Sequence, residues 1–164
     1  MGKRRREKGK RGEREAAKLI SELFGVKFIR GVQHQGGKDS PDIKPDGDVE
    51  IGIHFEIKRD EMTIADRVSR DITRIDGPLS AAYNNREVIC LPREFITRPP
   101  ETVKQDSPVK LTKSLIMALD QSKRDASGEK IPVVLSKRNR KKWYLFVETA
   151  YYEQYKKEIG RIMK

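Results

Sequence analysis

Val49-Glu50-Ile51-Gly52-Ile53-His54-Phe55-Glu56-Ile57-Lys58 is the stretch whose alternation decides how this chain is built. Val49, Ile51, Ile53, Phe55 and Ile57 share one set of alternate positions; Glu50, Gly52, His54, Glu56 and Lys58 share the other. Side chains leave a strand on opposite faces in turn, so this period predicts a half-buried β-strand with one apolar and one polar face. Glu56 and Lys58 leave from the same face, roughly 6.5 Å apart along the strand. Ile57 between them points into the core and anchors the pair.

The segments on either side read as helices and further strands. From Gly12 to Phe24, Ala16, Ala17, Ile20, Leu23 and Phe24 recur at helical spacing, and Glu13 continues that stripe. Gly25 is a plausible stop, followed by a short strand at Val26 to Ile29. Turn signals fill Gly31 to Asp48, at Gly36-Gly37, Ser40-Pro41 and Pro45-Asp46-Gly47. Met62 to Ile75 is periodic enough for a helix, with Arg67, Arg70 and Arg74 as a basic stripe. Asp76 to Pro108 is irregular and proline-rich, with one strand expected at Glu87 to Leu91; a loop that long suggests function or disorder. A helix is expected from Leu111 to Ala126, stopped by Gly128. Strands follow at Ile131 to Leu135 and Trp143 to Val147, joined by a basic loop. Tyr151, Tyr155, Ile159 and Ile162 mark a C-terminal helix. No internal repeat is visible. This order predicts an α/β or α+β fold, a sheet flanked by helices. It occupies one domain over 12–164 behind a basic arm, 1–11.

The 164 residues carry a formal net charge of +11 and a pI near 9.8. Such an excess bears on partners rather than fold, and nucleic acid leads because neutralising phosphates releases counterions. An anionic membrane competes as a partner. Against it, no apolar run is long enough to span a bilayer, no lipidation motif is present, and the N-terminus has no apolar signal region. Cys90 is the single cysteine, so neither a disulfide framework nor a cysteine zinc cluster is expected. The expectation is a soluble, cytoplasmic protein, in the host cytoplasm if viral. The charge is concentrated at Lys3, Arg4, Arg5, Arg6, Lys8, Lys10 and Arg11, and again at Lys137, Arg138, Arg140, Lys141 and Lys142. Each cluster reads either as a solvated tail or loop or as a phosphate contact, and the two are compatible.

Pro41-Asp42 taken with Glu56-Ile57-Lys58 carries the chemistry. Phosphodiester hydrolysis wants a hard cation, and hard cations want carboxylate oxygens. Asp42 sits where a loop enters a strand, and if its segment pairs with that of Glu56 the two carboxylates can share the cation. The Ile57 carbonyl could add a ligand. The Lys58 ammonium could orient the nucleophile or offset charge on the phosphate. The competing reading is a turn aspartate and a surface ion pair. Glu13 is either a first-turn glutamate or an inward carboxylate in need of a cation. His54 and His34 read first as ordinary histidines, and neither has zinc spacing. Gly36, Gly37 and Lys38 could let backbone approach a phosphate. Gln121, Lys123 and Arg124 could contact DNA or form a solvated helix face. Trp143 and Tyr144 fit the core better than a stacking platform.

Together these residues resemble the PD-(D/E)XK nuclease superfamily, and more closely the archaeal-type and phage Holliday-junction resolvases. The resemblance rests on Lys8-Gly9 followed by Glu13-Arg14-Glu15, on Ser40-Pro41-Asp42-Ile43, on Phe55-Glu56-Ile57-Lys58-Arg59, and on Lys130-Ile131-Pro132-Val133-Val134 before the basic loop. It covers roughly residues 8–60 and 111–150. It implies a restriction-endonuclease-like mixed sheet flanked by helices. Glu13, Asp42, Glu56 and Lys58 would form the active site, with Mg2+ as cofactor and Mn2+ tolerated. Ser40 would supply a hydroxyl, and Arg59 would lie with the basic residues that hold DNA. A homodimer would nick a four-way junction twice, since both have two-fold symmetry. Residues 61–110 depart from the pattern as an insertion after the catalytic strand. Another nuclease on the same scaffold (nicking, single-strand or repair) and a non-catalytic DNA-binding protein are the alternatives.

Overall fold

The structure, a computed structural model, describes residues 2–31, 40–59, 64–66, 77–105, 109–137 and 142–164. Helix α1 runs Lys3–Phe24 and is closed by Gly25 in the left-handed conformation, its amide bonded to the Ser21 carbonyl. Strands β1 (Phe28–Arg30) and β2 (Ile43–Pro45) form an antiparallel pair. Strand β3 is Ile53–Lys58. Strand β4 (Ile64–Asp66) pairs with β8 (Val109–Leu111). Strands β5 (Leu79–Tyr83) and β6 (Arg86–Pro92) form a hairpin, and β7 is Lys104–Gln105. Helix α2 is Lys113–Asp125, β9 Ile131–Lys137, β10 Trp143–Glu148 and α3 Thr149–Ile162.

The main sheet is mixed, in the order β3-β9-β10-β6-β5-β7. β3 runs parallel to β9, with Glu56 opposite Val134 and Lys58 opposite Ser136. A parallel pair needs a crossover. It ends in α2, which packs on both strands and is capped by the Thr112 hydroxyl accepting from the Leu115 amide at 3.3 Å.

Alternation along each strand splits the apolar residues between two layers. Ile53, Phe55 and Ile57, with Val133, Leu135, Leu145 and Leu91, face α1 and α3. Val134, Tyr144, Phe146, Val88 and Cys90 face α2, through Leu115, Ile116, Ala118 and Leu119. Trp143 and Tyr144 are buried, one in each layer, as expected of core aromatics. Because α2 covers the second face, β3 is not half-buried: His54 and Glu56 are buried as well, and only Lys58 reaches the rim.

The structure corrects several expected boundaries. Helix α1 begins at Lys3, so the basic residues 3–11 extend a helix instead of preceding one. The strand at Phe55 starts at Ile53, and Val49 lies exposed outside it. Residues 79–92, expected to be mostly irregular, are two strands of the main sheet. Their two-residue connection is Asn84-Asn85, with Asn84 at φ 53°, a conformation asparagine tolerates better than most residues. Within the helix expected over 62–75, Ile64–Asp66 is strand, paired to residues 109–111; the rest of that span, Arg67, Arg70 and Arg74 included, lies outside the described residues.

Candidate active site

Asp42 is placed by a close backbone approach. The Gly31 amide donates to the Asp42 carbonyl at 2.8 Å, and a Cβ on Gly31 would stand 2.0 Å from the Pro41 carbonyl oxygen. Only glycine admits that contact. The Asp42 amide then donates to the Phe55 carbonyl at 3.2 Å, and the Asp42 carboxylate Oδ2 accepts from the Ile57 amide at 2.8 Å. Asp42 is thus stapled along the free edge of β3, on either side of Glu56. Both carboxylates are buried, at 6% exposure for Asp42 and 3% for Glu56. The Lys58 ammonium lies 2.7 Å from Glu56 Oε1 and donates to Gln121 Oε1 of α2 at 3.2 Å.

Burial pushes the Glu56 carboxyl up to about 7, the neighbouring charge of Asp42 pushes the same way, and Asp125 adds a smaller push; Lys58 opposes them all. Among the described residues, the site brings two buried carboxylates, Asp42 and Glu56, beside the partly exposed Lys58 ammonium. A hard dication suits such a donor set. Among the described residues, His54, Glu56 and Asp125 also form a group whose potential ligand atoms all lie within 4.8 Å of one another. Neither Asp42 nor Glu13 belongs to that group.

Glu13 is engaged elsewhere: its Oε2 accepts from Arg30 Nε in a short ion pair. Arg30 stands opposite Ile43 in the β1–β2 ladder, one residue from Asp42, so Glu13 approaches the site by way of Arg30. The Ile57 amide is committed to Asp42. Gln121 touches Lys58, whereas Lys123 turns the other way, over the Tyr151 ring at 5.8 Å. Ser40 precedes Pro41-Asp42 and is half-buried. Arg4, Arg5, Arg6, Lys8 and Arg11 are exposed on α1, with Lys10 partly so, and Arg59 follows β3 on the α1 side. His34, Gly36, Gly37, Lys38, Arg138 and Arg140 lie outside the described residues.

Three residues were missed in the sequence. Asp125 follows Gln121 by one helical turn, and that spacing was the available signal. Gly31 and Arg30 carry no local signal, because their roles depend on which backbone and which helix they meet. No family model matches the chain, no curated protein matches it, and no solved structure matches it. No helix among the described residues is long and apolar enough to cross a membrane.

Proposed function

We propose that this protein is a metal-dependent endodeoxyribonuclease acting through Asp42, Glu56 and Lys58. The observation that carries the reading is the edge of β3, where two buried carboxylates are fixed beside one ammonium in a strongly basic chain. A bound Mg2+, or Mn2+ in its place, would be held by Asp42 and Glu56 and would supply polarisation of a phosphate oxygen and acidification of a water. The chain does the rest. The Ile57 amide fixes the Asp42 carboxylate, and the Lys58 ammonium lies 2.7 Å from Glu56 Oε1. Gln121 holds Lys58 at the rim, where its ammonium can meet a phosphate that takes the place of Glu56 as its partner.

The likeness of Ser40-Pro41-Asp42 and Glu56-Ile57-Lys58 to PD-(D/E)XK nucleases supports this reading, as does a mixed sheet flanked by helices. The added likeness of Lys8-Gly9 and Glu13-Arg14-Glu15 to junction resolvases favours a branched substrate. It also favours a homodimer that nicks a four-way junction at matched positions. In that reading Glu13 acts beside Arg30, as a positioning partner or an outer ligand.

The test is incubation of labelled four-way junction and plain duplex with the protein, with and without magnesium. Magnesium-dependent paired nicks in the junction are expected, and their loss in Glu56→Gln and Asp42→Asn. Cleavage that survives either substitution sinks the site. Equal rates on duplex and junction sink the junction preference and leave a less selective nuclease. Binding without cleavage under any divalent cation identifies a DNA-binding protein instead.

A further inference from the structure

On the opposite face of β3 from Lys58, a cleft of about 470 Å³ opens between α1 and the chain leaving β3. It is lined by Glu7, Lys8, Arg11, Arg14 and Arg59. Its volume is roughly fifteen times that of a water molecule in the liquid. Four of its five lining residues are cations. Arg59 is rooted by close packing: a Cβ on Gly12 of α1 would lie 3.4 Å from the Arg59 Cβ. The Arg59 side chain is only 15% exposed, and its Nη1 donates to Glu15 Oε1 at 3.4 Å. The same carboxylate accepts from Arg11 Nε at 3.1 Å and has the Lys137 ammonium 3.7 Å from its other oxygen. One carboxylate therefore gathers three cations, and the buried Arg59 Nε has no hydrogen-bond partner. The guanidinium holds more donor capacity than Glu15 uses.

We propose that this cleft is a second phosphate-binding subsite, in which Arg59, Arg11 and Lys8 grip a backbone phosphate flanking the one at Lys58. Glu15 is its positioning residue. The partner's identity rests on the nuclease reading above; the anion preference rests on the cleft itself. A guanidinium presents a planar fork that fits phosphate oxygens two at a time, and held partly out of water it binds them more strongly than a solvated lysine does. Lys58 and Arg59 are consecutive and leave toward opposite faces, the first toward α2 and the second toward α1. A nucleic-acid strand lying across the end of β3 meets both. The cleft is concave and walled by charge, with no apolar residue to enter a bilayer, which favours a backbone phosphate over a lipid surface.

The experiment measures binding of the full chain to a fluorescent duplex and a four-way junction by anisotropy, across a salt series, with calcium in place of magnesium. Lys8→Ala and Arg59→Gln are each expected to raise Kd several-fold and to lower the slope of log K against log salt by about 1. Lys157→Ala, an exposed lysine of α3, removes the same charge and is expected to leave the slope unchanged. Lys8 is exposed, so its substitution tests the cleft even if Arg59→Gln fails to fold. In a scan of single neutral methylphosphonate linkages, one position is expected to weaken the unsubstituted protein and not the two variants. Slopes that match the Lys157→Ala control overturn the subsite, as does a loss that appears only in a parallel titration with phosphatidylserine vesicles and not with either nucleic acid. Binding and slope changes without cleavage leave the subsite standing and fail the nuclease reading. Cleavage with unchanged variant slopes fails the subsite alone, and no binding to either nucleic acid fails both.

Discussion

Substituting Glu56 by glutamine changes the pH dependence of folding, and the size of the change follows from where the carboxyl is held. An ordinary glutamate titrates at 4.5, and burial with Asp42 alongside raises Glu56 to about 7. At about 1.36 kcal/mol per pH unit, that rise corresponds to roughly 3 kcal/mol. Between those two values the folded chain holds a proton that the unfolded chain has released, so stability falls as pH rises. The favourable contribution is complete below about 4.5 and gone above about 7. Urea denaturation in EDTA at about pH 5 and about pH 8, on wild type and Glu56→Gln, reads it directly. Wild type is expected to lose roughly 3 kcal/mol relative to the variant between those conditions, since glutamine carries no charge to desolvate. Millimolar magnesium at the upper pH is expected to restore wild type and to leave the variant where it was. Metal affinity should rise about tenfold per pH unit until about 7 and then level, as binding displaces one proton. Stability curves that run parallel in the two proteins would refute the reasoning, because the buried carboxylate would then carry no penalty.

Three further outcomes follow from particular contacts. Asp125→Asn removes a charge that raises Glu56, so the upper end of the stability transition, near pH 7 in wild type, is expected to move to lower pH; an upper end that stays in place or moves upward counts against the contact. Gly31→Ala forces a Cβ to within 2.0 Å of the Pro41 carbonyl oxygen, so the Pro41-Asp42 backbone must shift. The expected cost is about 1–3 kcal/mol, with a greater loss of magnesium affinity than Gly47→Ala causes; equal losses in the two variants refute a special role for the close approach. In α1, Lys3, Arg4, Arg5, Arg6, Lys8, Lys10 and Arg11 crowd the positive end of the helix dipole, with no side-chain cap and no acid in the first turn. Amide exchange in residues 3–11 is therefore expected to be fast at low salt and to slow several-fold on adding duplex DNA. Exchange indifferent to DNA removes this helix from the binding surface.

The same electrostatics explain why sequence reading placed the start of α1 at Gly12. Residues 3–11 offer no apolar stripe, so periodicity is silent there even though the backbone continues as helix from Lys3. Where the two faces of a segment differ in chemistry the period was legible: alternation identified β3, and helical spacing identified the packed part of α1, α2 and α3. It overstated the solvent exposure of β3, since alternation between Ile53, Phe55, Ile57 and His54, Glu56, Lys58 says that the two faces differ in chemistry, not that one of them is wet. α2 covers the polar face, and Ser122 seals it by donating to the Val133 carbonyl at 3.1 Å. The Asn84-Asn85 turn lacks the glycine that marks most two-residue hairpins, which hid β5.

The candidate site divides along the same line. Glu56 and Lys58 are joined by local spacing, so two residues of sequence were enough to put them together. Asp42 joins them across the β3 edge. Its place depends on Gly31 yielding room to Pro41 and on the Ile57 amide donating to the Asp42 carboxylate, neither of which has a one-dimensional signature. Asp125 is intermediate. Its position one turn after Gln121 puts both on the face of α2 that meets β3, and once Gln121 is known to touch Lys58 its neighbour follows. The coupling has a chemical consequence. Glu56 is shared between Asp42 at the strand edge and His54 with Asp125 beneath α2, so any cation held at the edge must compete with the second group for the same carboxylate. Asp125→Asn therefore discriminates between two arrangements that wild type alone does not separate. If the cation sits with Asp42, the substitution lowers the pH at which magnesium binds and leaves affinity at higher pH nearly intact. If it sits with His54 and Asp125, affinity falls at every pH, and calorimetric titration of magnesium into the two proteins tells them apart.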